Sequence, residues 1–534
     1  MFNIDVKLTK DDESEVLRYL QHNGKDIDEN LHSQVLECME KINAVAKPNF
    51  VFREWDLEEK GKLPKELNFF VGNSIKKHIK DCHKLILMAA TIGIGVDNAI
   101  RKEELKNVAN ALIMDSCGST LIEAVCDSIE ASFREQYLKE IRKFMDKPII
   151  KVITGMRRSG KSMILKLISK ELEEKGINKE NIIFINFESL MFAEFANFQK
   201  LYSYIIEKSK NLTGKIYILL DEIQEVASWE KVINSLLVDL DCDIYITGSN
   251  ANLLSSELAT YIAGRYVEIK VFPLSFKEFI DFSKIQNPEK IYSNEEYFEK
   301  YLQFGGLPAI HNFNQDKTSI YQYLTDICNS VLLKDVVARN NIRDIELLER
   351  IILYIFDNIG NIFSAKKISD FLKSQGRKLS VETVYNYLKA LENAYIISKV
   401  QRYDIKGKSI LETQEKFYLL DLGLKHSQLG YKANDIAGHL ENIIYLELLR
   451  RKYNVNIGKL KTKEIDFIAQ KEDKKLYIQA TYLLASENTI EREFSPLKNI
   501  EDNYPKYVLS MDNLNEYNIN GILRKRIIDF LLDL

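Results

Sequence analysis

Short apolar runs alternate with amphipathic stretches through the middle of this chain. "PIIKVIT" (148–154), "NIIFINF" (181–187), "KIYILLDEIQEV" (215–226), "CDIYITGSN" (242–250) and "RYVEIKVFPL" (265–274) have the apolar character of strands covered on both faces. "SMILKLISKELEEKG" (162–176) carries its apolar residues at helical spacing and closes at Gly176. Strands alternating with helices predict a parallel sheet with helices on its faces over residues 134–275. Residues 276–344 read as a mainly helical lid or connector with a turn at "FGGLP". From 345 to 410 three helical patterns, "ELLERIILYIFDNIG", "FSAKKISDFLKSQG" and "LSVETVYNYLKALENAYII", precede two strands around Lys406-Gly407-Lys408. That order predicts a winged helix. Ser380 is expected to cap its third helix, with Val381 and Val384 facing the core. Residues 411–534 read as a further α/β domain.

Residues 1–133 have a different character and predict an α+β domain. "EVLRYLQHNG" reads as an amphipathic helix closed by Gly24. "KLILMAATIGIGVD" reads as a strand running into a Gly93-x-Gly95 turn and Asp97. "NVANALIMDSCGSTLIEAVCDSIEASFREQY" reads as one long helix whose small residues permit close packing.

Composition narrows the class. The 534 residues suffice for several domains at about 100–200 residues each. At 46% hydrophobic and 28% charged, the chain has the profile of a water-soluble globular protein, and the net charge of -4 means that any nucleic-acid surface must be local. The six cysteines are scattered singly, which argues against a disulfide framework or a zinc site. The acidic start lacks a secretory apolar core, and no apolar run approaches the roughly 20 residues of a membrane span. The expected location is the cytoplasm, with no membrane partner.

"GMRRSGKS" (155–162) fits G-x-x-x-x-G-K-[ST], a loop that wraps phosphates in backbone N–H groups. Gly155, Met156, Arg157, Arg158, Ser159, Gly160, Lys161 and Ser162 are the expected ATP-binding residues. Lys161 would reach the β- and γ-phosphates and Ser162 would ligate Mg²⁺, with the following helix N-terminus adding its positive end. Asp221 closes an apolar strand and is the second expected Mg²⁺ holder, and Glu222 would orient the attacking water. A strand inserted between the two motifs, and a glutamate after the metal aspartate, are features of the AAA+ kind of P-loop domain. "ITGSN" then supplies a candidate γ-phosphate sensor, Asn250, with Ser249 or Thr247 as alternatives. "LATYIAGRY" supplies Arg265, a candidate arginine finger for a neighbouring subunit of a homo-oligomer.

"KPIIKVITGMRRSGKSMILK", "LLDEIQEVASWEKVINSL", "YITGSNANLLSSELATYIAGRYVEI", "PLSFKEF" and "FGGLP" occur in this order, and over about residues 135–534 the chain resembles prokaryotic AAA+-superfamily ATPases with a winged helix and a nuclease-like C-terminal domain. The resemblance implies ATP hydrolysis with Mg²⁺, coupled to remodelling of a DNA or protein partner. The alternative is a nucleotide-gated DNA-binding or scaffold protein with little turnover. Lys366, Lys367, Lys373, Arg377, Lys378, Lys389, Lys399, Arg402, Lys406 and Lys408, with Tyr385 and Tyr387 interleaved, make the winged-helix segment a candidate DNA contact. In the C-terminal domain Glu441 and Asp466 match the first two metal ligands of a restriction-type nuclease. The third position reads Gln479-Ala480-Thr481, without the carboxylate and lysine of E-x-K, so a nuclease-like domain without nuclease activity is expected.

The order of pieces in residues 1–133 is similar to the activation domain of vitamin B12-dependent methionine synthase, which binds S-adenosylmethionine and faces a corrinoid. Glu123 matches a cofactor-contacting glutamate by motif. That resemblance implies a reactivation module for a corrinoid protein. The R-P-x-P-G-Y segment that builds much of the cofactor pocket is missing, so the domain reads as truncated and no intact S-adenosylmethionine site is expected.

Overall fold

The computed structural model describes residues 7–9, 12–13, 16–17, 20, 29–46, 49–56, 84–91, 94–104, 106–130, 134–254, 264–286, 292–313, 316–340, 342–377, 379–432, 435–513 and 516–533. The chain divides into two compact units, Met1–Glu135 and Gln136–Leu534. No helix among the described residues is long and apolar enough to cross a membrane.

In the first unit, helix α1 (Glu29–Val45) and helices α2 (Ile94–Glu104) and α3 (Val108–Glu130) pack together, beside an antiparallel pair of strands, β1 (Asn49–Asp56) and β2 (Lys84–Thr91). Val35, Cys38, Met39, Ile42, Ile113, Met114 and Cys117 are buried there. Of the expected Gly93-x-Gly95 turn, Gly95 belongs to α2, as does Asp97. A Cβ on Gly95 would lie 2.6 Å from the Val45 carbonyl oxygen, so close backbone approach explains that glycine without a ligand. Gly93 and most of the expected first helix lie outside the described residues.

Among the described residues the second unit contains two sheets. The first is wholly parallel, in the order β4-β5-β6-β3-β7, built from β3 (Ile150–Gly155), β4 (Ile182–Asn186), β5 (Ile216–Asp221), β6 (Cys242–Gly248) and β7 (Tyr266–Val271). The three central strands are buried at every position, whereas the edge strand β4 alternates buried and half-buried residues. Central strands of a sheet covered on both faces must be apolar throughout, which is the pattern that exposed them in the sequence. Helix α4 (Glu135–Arg142) and helix α5 (Lys161–Glu174) cover one face, burying Leu138, Ile141, Ile164, Leu165 and Ile168 against Ile153 and Leu219. Helices α6 (Phe198–Ser209) and α7 (Trp229–Asp239) cover the other. Lys151 and Asp243, both buried, form an ion pair across β3 and β6 that Tyr245 extends by donating to Asp243 at 2.8 Å.

The connector holds helices α8 (Phe276–Gln286), α9 (Asn294–Phe304) and α10 (Lys317–Val331), the last continuing into a π-helical segment, Leu332–Ala338. The "FGGLP" turn is fastened to the C-terminal part of the chain. Gly306 and Gly423 donate their N–H groups to the buried Asp421 carboxylate at 2.7 and 2.8 Å, and Gly305 sits at φ 74 with no room for a Cβ beside Asp421. Arg450, whose side chain is buried, donates to the carbonyls of Pro273 and Leu274 at 3.1 Å each.

Helices α11 (Ile345–Asp357), α12 (Ala365–Ser374) and α13 (Val381–Asn393) follow, with the two-residue strand β8 (Ile362–Phe363) between the first two and the antiparallel strands β9 (Ile397–Asp404) and β10 (Ser409–Leu419) after them. Ser380 caps α13 by accepting the Thr383 N–H at 3.1 Å. Two details differ from expectation. Val381 is exposed while Val384 is buried, because the first helical residue lies past the edge of the packed face; and Tyr387 is buried, leaving only Tyr385 toward solvent.

The hairpin is not a separate element. Strand β10 runs to Leu419, across the expected boundary at 410, and β9 pairs in parallel with β11 (Asn454–Leu460). One nine-stranded sheet, β15-β16-β14-β13-β12-β11-β9-β10-β8, therefore joins the hairpin to β12 (Lys463–Lys471), β13 (Lys474–Ala480), β14 (Lys506–Ser510), β15 (Tyr517–Ile519) and β16 (Ile522–Arg526). Helices α14 (Leu422–Leu429), α15 (Ile436–Arg450), α16 (Glu487–Lys498) and α17 (Ile527–Leu532) complete the C-terminal part.

Candidate functional site

The loop after β3 has the backbone of a phosphate cradle. Gly155, Arg158 and Gly160 all have positive φ, at 146°, 66° and 96°. A Cβ on Gly155 would lie 2.2 Å from the Val271 carbonyl oxygen, so only glycine fits where β3 leaves the sheet beside β7. Gly160 opens α5 without a side-chain cap, which leaves the first-turn N–H groups to an outside acceptor. Met156 and Ser159 are buried and anchor the loop, while Arg158 is exposed.

The carboxylates arrive from β5. Asp221 and Glu222 are both buried, and Lys161 Nζ lies 3.4 Å from Glu222 Oε1 and donates to the Met156 carbonyl at 3.1 Å. Strand β6 lies between β3 and β5, and its Thr247 meets both acids. The Thr247 hydroxyl donates to Asp221 Oδ1 at 2.5 Å and accepts the Glu222 N–H at 2.8 Å. Burial raises the Asp221 carboxyl, and hydrogen bonds from Thr247 and Ser162 pull it back. Burial also works against the Glu222 charge, but Lys161, Gln224, Ser249 and Arg157 together hold Glu222 below the usual carboxylate range. Glu222 sits at φ 55, a left-handed conformation that turns its side chain off the strand end. Asp221 Oδ2 is buried with no hydrogen-bond partner among the described residues, and the Ser162 hydroxyl bonds the same carboxylate. An oxygen held that way, beside a hydroxyl, suits a hard divalent cation such as Mg²⁺.

Asn250 and Ser249 are buried at the end of β6, next to this group. Arg265 is not brought in. It is exposed before β7, whose first residue pairs with Ile150, so it lies at the opposite end of the sheet from Gly155.

Sequence reasoning missed a line of charges beside the loop. Arg157 Nη1 donates to Glu188 at 2.8 Å and Arg157 Nε donates to Asp335 at 3.2 Å. Asp335, fully buried in the π-helical segment, also faces Arg339 at 3.3 Å, and Arg339 reaches Glu225 at 3.2 Å. Arg157 was expected only as one of the ATP-binding loop residues, and Asp335 lies far along the chain.

The C-terminal acids come together. Glu441 projects from α15, Asp466 from β12 and Gln479 from β13. Asp466 accepts the Ala480 N–H at 2.8 Å, and its own N–H donates to Gln479 Oε1 at 3.4 Å. A cation that the sequence did not reveal sits among them. Lys416, from β10, is buried and lies 3.0 Å from Glu441 and 2.8 Å from Glu464, while Tyr418 donates to Glu441 at 2.9 Å. Burial opposes the Lys416 charge, but Glu441, Asp466 and Glu464 more than offset it and hold Lys416 above its usual value. Burial, then Glu441, pushes Asp466 well up. The alternation of "EKFYLL" would have placed Lys416 on one face of a strand, but not beside these acids.

On α13 the outward face carries Val381, Glu382, Tyr385, Asn386 and Lys389. Several nearby cations are already paired, Arg377 with Glu346 at 2.8 Å and Lys399 with Glu415 at 3.3 Å. Glu123 belongs to α3, but its side chain lies outside the described residues.

The parallel sheet, the glycine-shaped loop and the paired acids define a P-loop domain of the AAA type, and the AAA domain family matches residues 147–280. A domain of unknown function (DUF8612) matches residues 295–435. An uncharacterized protein of Haemophilus influenzae is 41% identical over 399 residues, spanning 75% of this chain and 98% of that protein. Uncharacterized protein MJ1544 of Methanocaldococcus jannaschii is 34% identical over 416 residues, spanning 74% and 87%. The chain belongs to the family of AAA-domain proteins that these two represent. Among solved structures, the Walker-type ATPase PABY2304 of Pyrococcus abyssi is similar over 55% of this chain and 95% of its own, at 16% identity and a TM-score of 0.41.

Proposed function

We propose that this protein binds ATP with Mg²⁺ and hydrolyses it by attack of water on the γ-phosphate. The observation that carries the reading is the convergence of Lys161, Asp221, Glu222 and Thr247 at the C-terminal ends of adjacent strands, beside an uncapped helix N-terminus. Residues 155–162 cradle the phosphates through their N–H groups. Lys161, now held by Met156 and Glu222, supplies positive charge to the β- and γ-phosphates. Ser162 and Asp221 would hold Mg²⁺, which neutralises phosphate charge when bound. Glu222, kept ionised by Lys161 and its other neighbours, orients and polarises the water. Asn250, just past the end of β6, senses the γ-phosphate, and Arg265 acts on a neighbouring copy. The helices and hairpin over 345–419 form a winged helix through which hydrolysis remodels a DNA or protein partner, and residues after it form a nuclease-like domain used for binding.

Lys161→Ala is expected to abolish ATP binding, and Glu222→Gln to bind ATP while turnover falls on the order of 100-fold or more. Calorimetry and phosphate release on the full chain check both. Rapid turnover by Glu222→Gln would overturn the assignment.

A further inference from the structure

Five charges of alternating sign run across the candidate ATP site: Glu188, Arg157, Asp335, Arg339 and Glu225. Both ends are near half exposed, while the central Asp335 is fully buried. A buried carboxylate between two guanidiniums is costly to separate from either, so its position is tied to theirs. One of them, Arg157, belongs to the phosphate loop. The other, Arg339, holds the turn that follows Glu222.

Asp335 stands in a π-helical segment at the end of α10, a conformation that is rare and frequent at functional sites. Helix α13 packs against that segment and also against residues 251–254, which follow Asn250. The π-helical segment therefore touches both the phosphate loop and α13.

We propose that the Arg157–Asp335 pair is a nucleotide-sensitive latch, in which a triphosphate in the loop competes with Asp335 for Arg157 and so loosens the π-helical segment against α13. This rests on the ATP-binding reading above. The physical basis is competition of two anions for one guanidinium. A triphosphate brings several negative charges to the loop that carries Arg157, and whatever share of Arg157 it takes is lost to Asp335. Binding free energies are reciprocal, so removing the competing anion strengthens nucleotide binding. Asp335 is a positioning residue here and touches no reacting atom.

The test is made on the full chain by hydrogen exchange of residues 332–340, with and without ATP, together with calorimetry of ATP binding. In the wild type, ATP is expected to speed exchange across 332–340. Asp335→Asn is expected to bind ATP at least fivefold more tightly and to exchange fast there with or without nucleotide. Arg339→Gln leaves Asp335 to Arg157 alone, so ATP binding is expected to weaken or stay equal while the nucleotide dependence of exchange persists. A folded Asp335→Asn that binds ATP no more tightly overturns the latch. So does a wild type that binds ATP with no change at 332–340, a result that needs no variant and holds even if Asp335→Asn fails to fold. A wild type that binds no ATP overturns the ATP reading and the latch together.

Discussion

The Thr247 hydroxyl donates to Asp221 Oδ1 at 2.5 Å and accepts the N–H of the next residue, Glu222, at 2.8 Å. One side chain on the middle strand thus sets both acids. Thr247→Val keeps the shape but leaves two buried polar groups without a partner, a cost of about 1–3 kcal/mol each. Turnover is expected to fall at least tenfold, with Thr247→Ser retaining most of it. Steady-state phosphate release at saturating ATP makes the comparison.

Gly155→Ala forces a Cβ to within 2.2 Å of the Val271 carbonyl oxygen at a φ of 146°. Residues in sparsely populated backbone regions cost about 1–3 kcal/mol before any clash is counted. The variant is expected to lose nucleotide binding and melt earlier, as calorimetry and thermal denaturation would record.

Lys416 carries the only side-chain ammonium that contacts both Glu441 and Glu464 among the described residues. Lys416→Met removes one partner of a buried ion pair, which costs about 3–5 kcal/mol. A clear fall in melting temperature is expected. With Gln479 in the third position and an internal ammonium on Glu441, the wild type is expected to leave duplex DNA uncut in Mg²⁺, as gel assays of plasmid integrity would show.

Burial lowers His439 to about 3, helped by His426 and Lys425, and lowers His311 to about 3. These histidines stay neutral in the folded chain while the unfolded chain protonates near 6.5. Unfolding therefore takes up protons between roughly pH 6.5 and 3, and their share of stability is lost as pH falls through that window. Asp421 works in the other direction, since burial raises it to about 6 and the folded form then holds the proton longer. Comparing the wild type with His439→Phe removes that background. The variant is expected to gain about 2 kcal/mol relative to wild type on going from pH 7 to pH 5, measured by urea unfolding at each pH.

The AAA-type core was legible because its buried parallel strands are continuous apolar runs and because the phosphate-loop motif and Asp221-Glu222 are local signals. Thr247 could be named as an alternative sensor at a strand end, but its bonds to Asp221 and the Glu222 N–H could not be foreseen, since they depend on which side chain reaches across from β6 to β5. Asp335 and Lys416 were invisible for a different reason. Each is a single charge whose partners lie far away in sequence, Asp335 beside Arg157 and Lys416 beside Glu441 and Glu464. Val381 and Tyr387 were misplaced because helical spacing alone leaves the limits of a packed face open by a residue at the helix start. The boundary at 410 followed a turn signal correctly placed at 406–408, but a turn does not say which sheet its strands join.

The parallel pairing of β9 with β11 has a practical side. A fragment ended at 410 would carry off β9 and only the first residues of β10, baring the backbone of β11 along one edge and that of β9 along another. Bare strand edges recruit other chains. Dissections of this protein should therefore keep 345–534 as one piece, and a homologue's hairpin grafted here would have to match the β11 backbone as well as its own neighbouring strand.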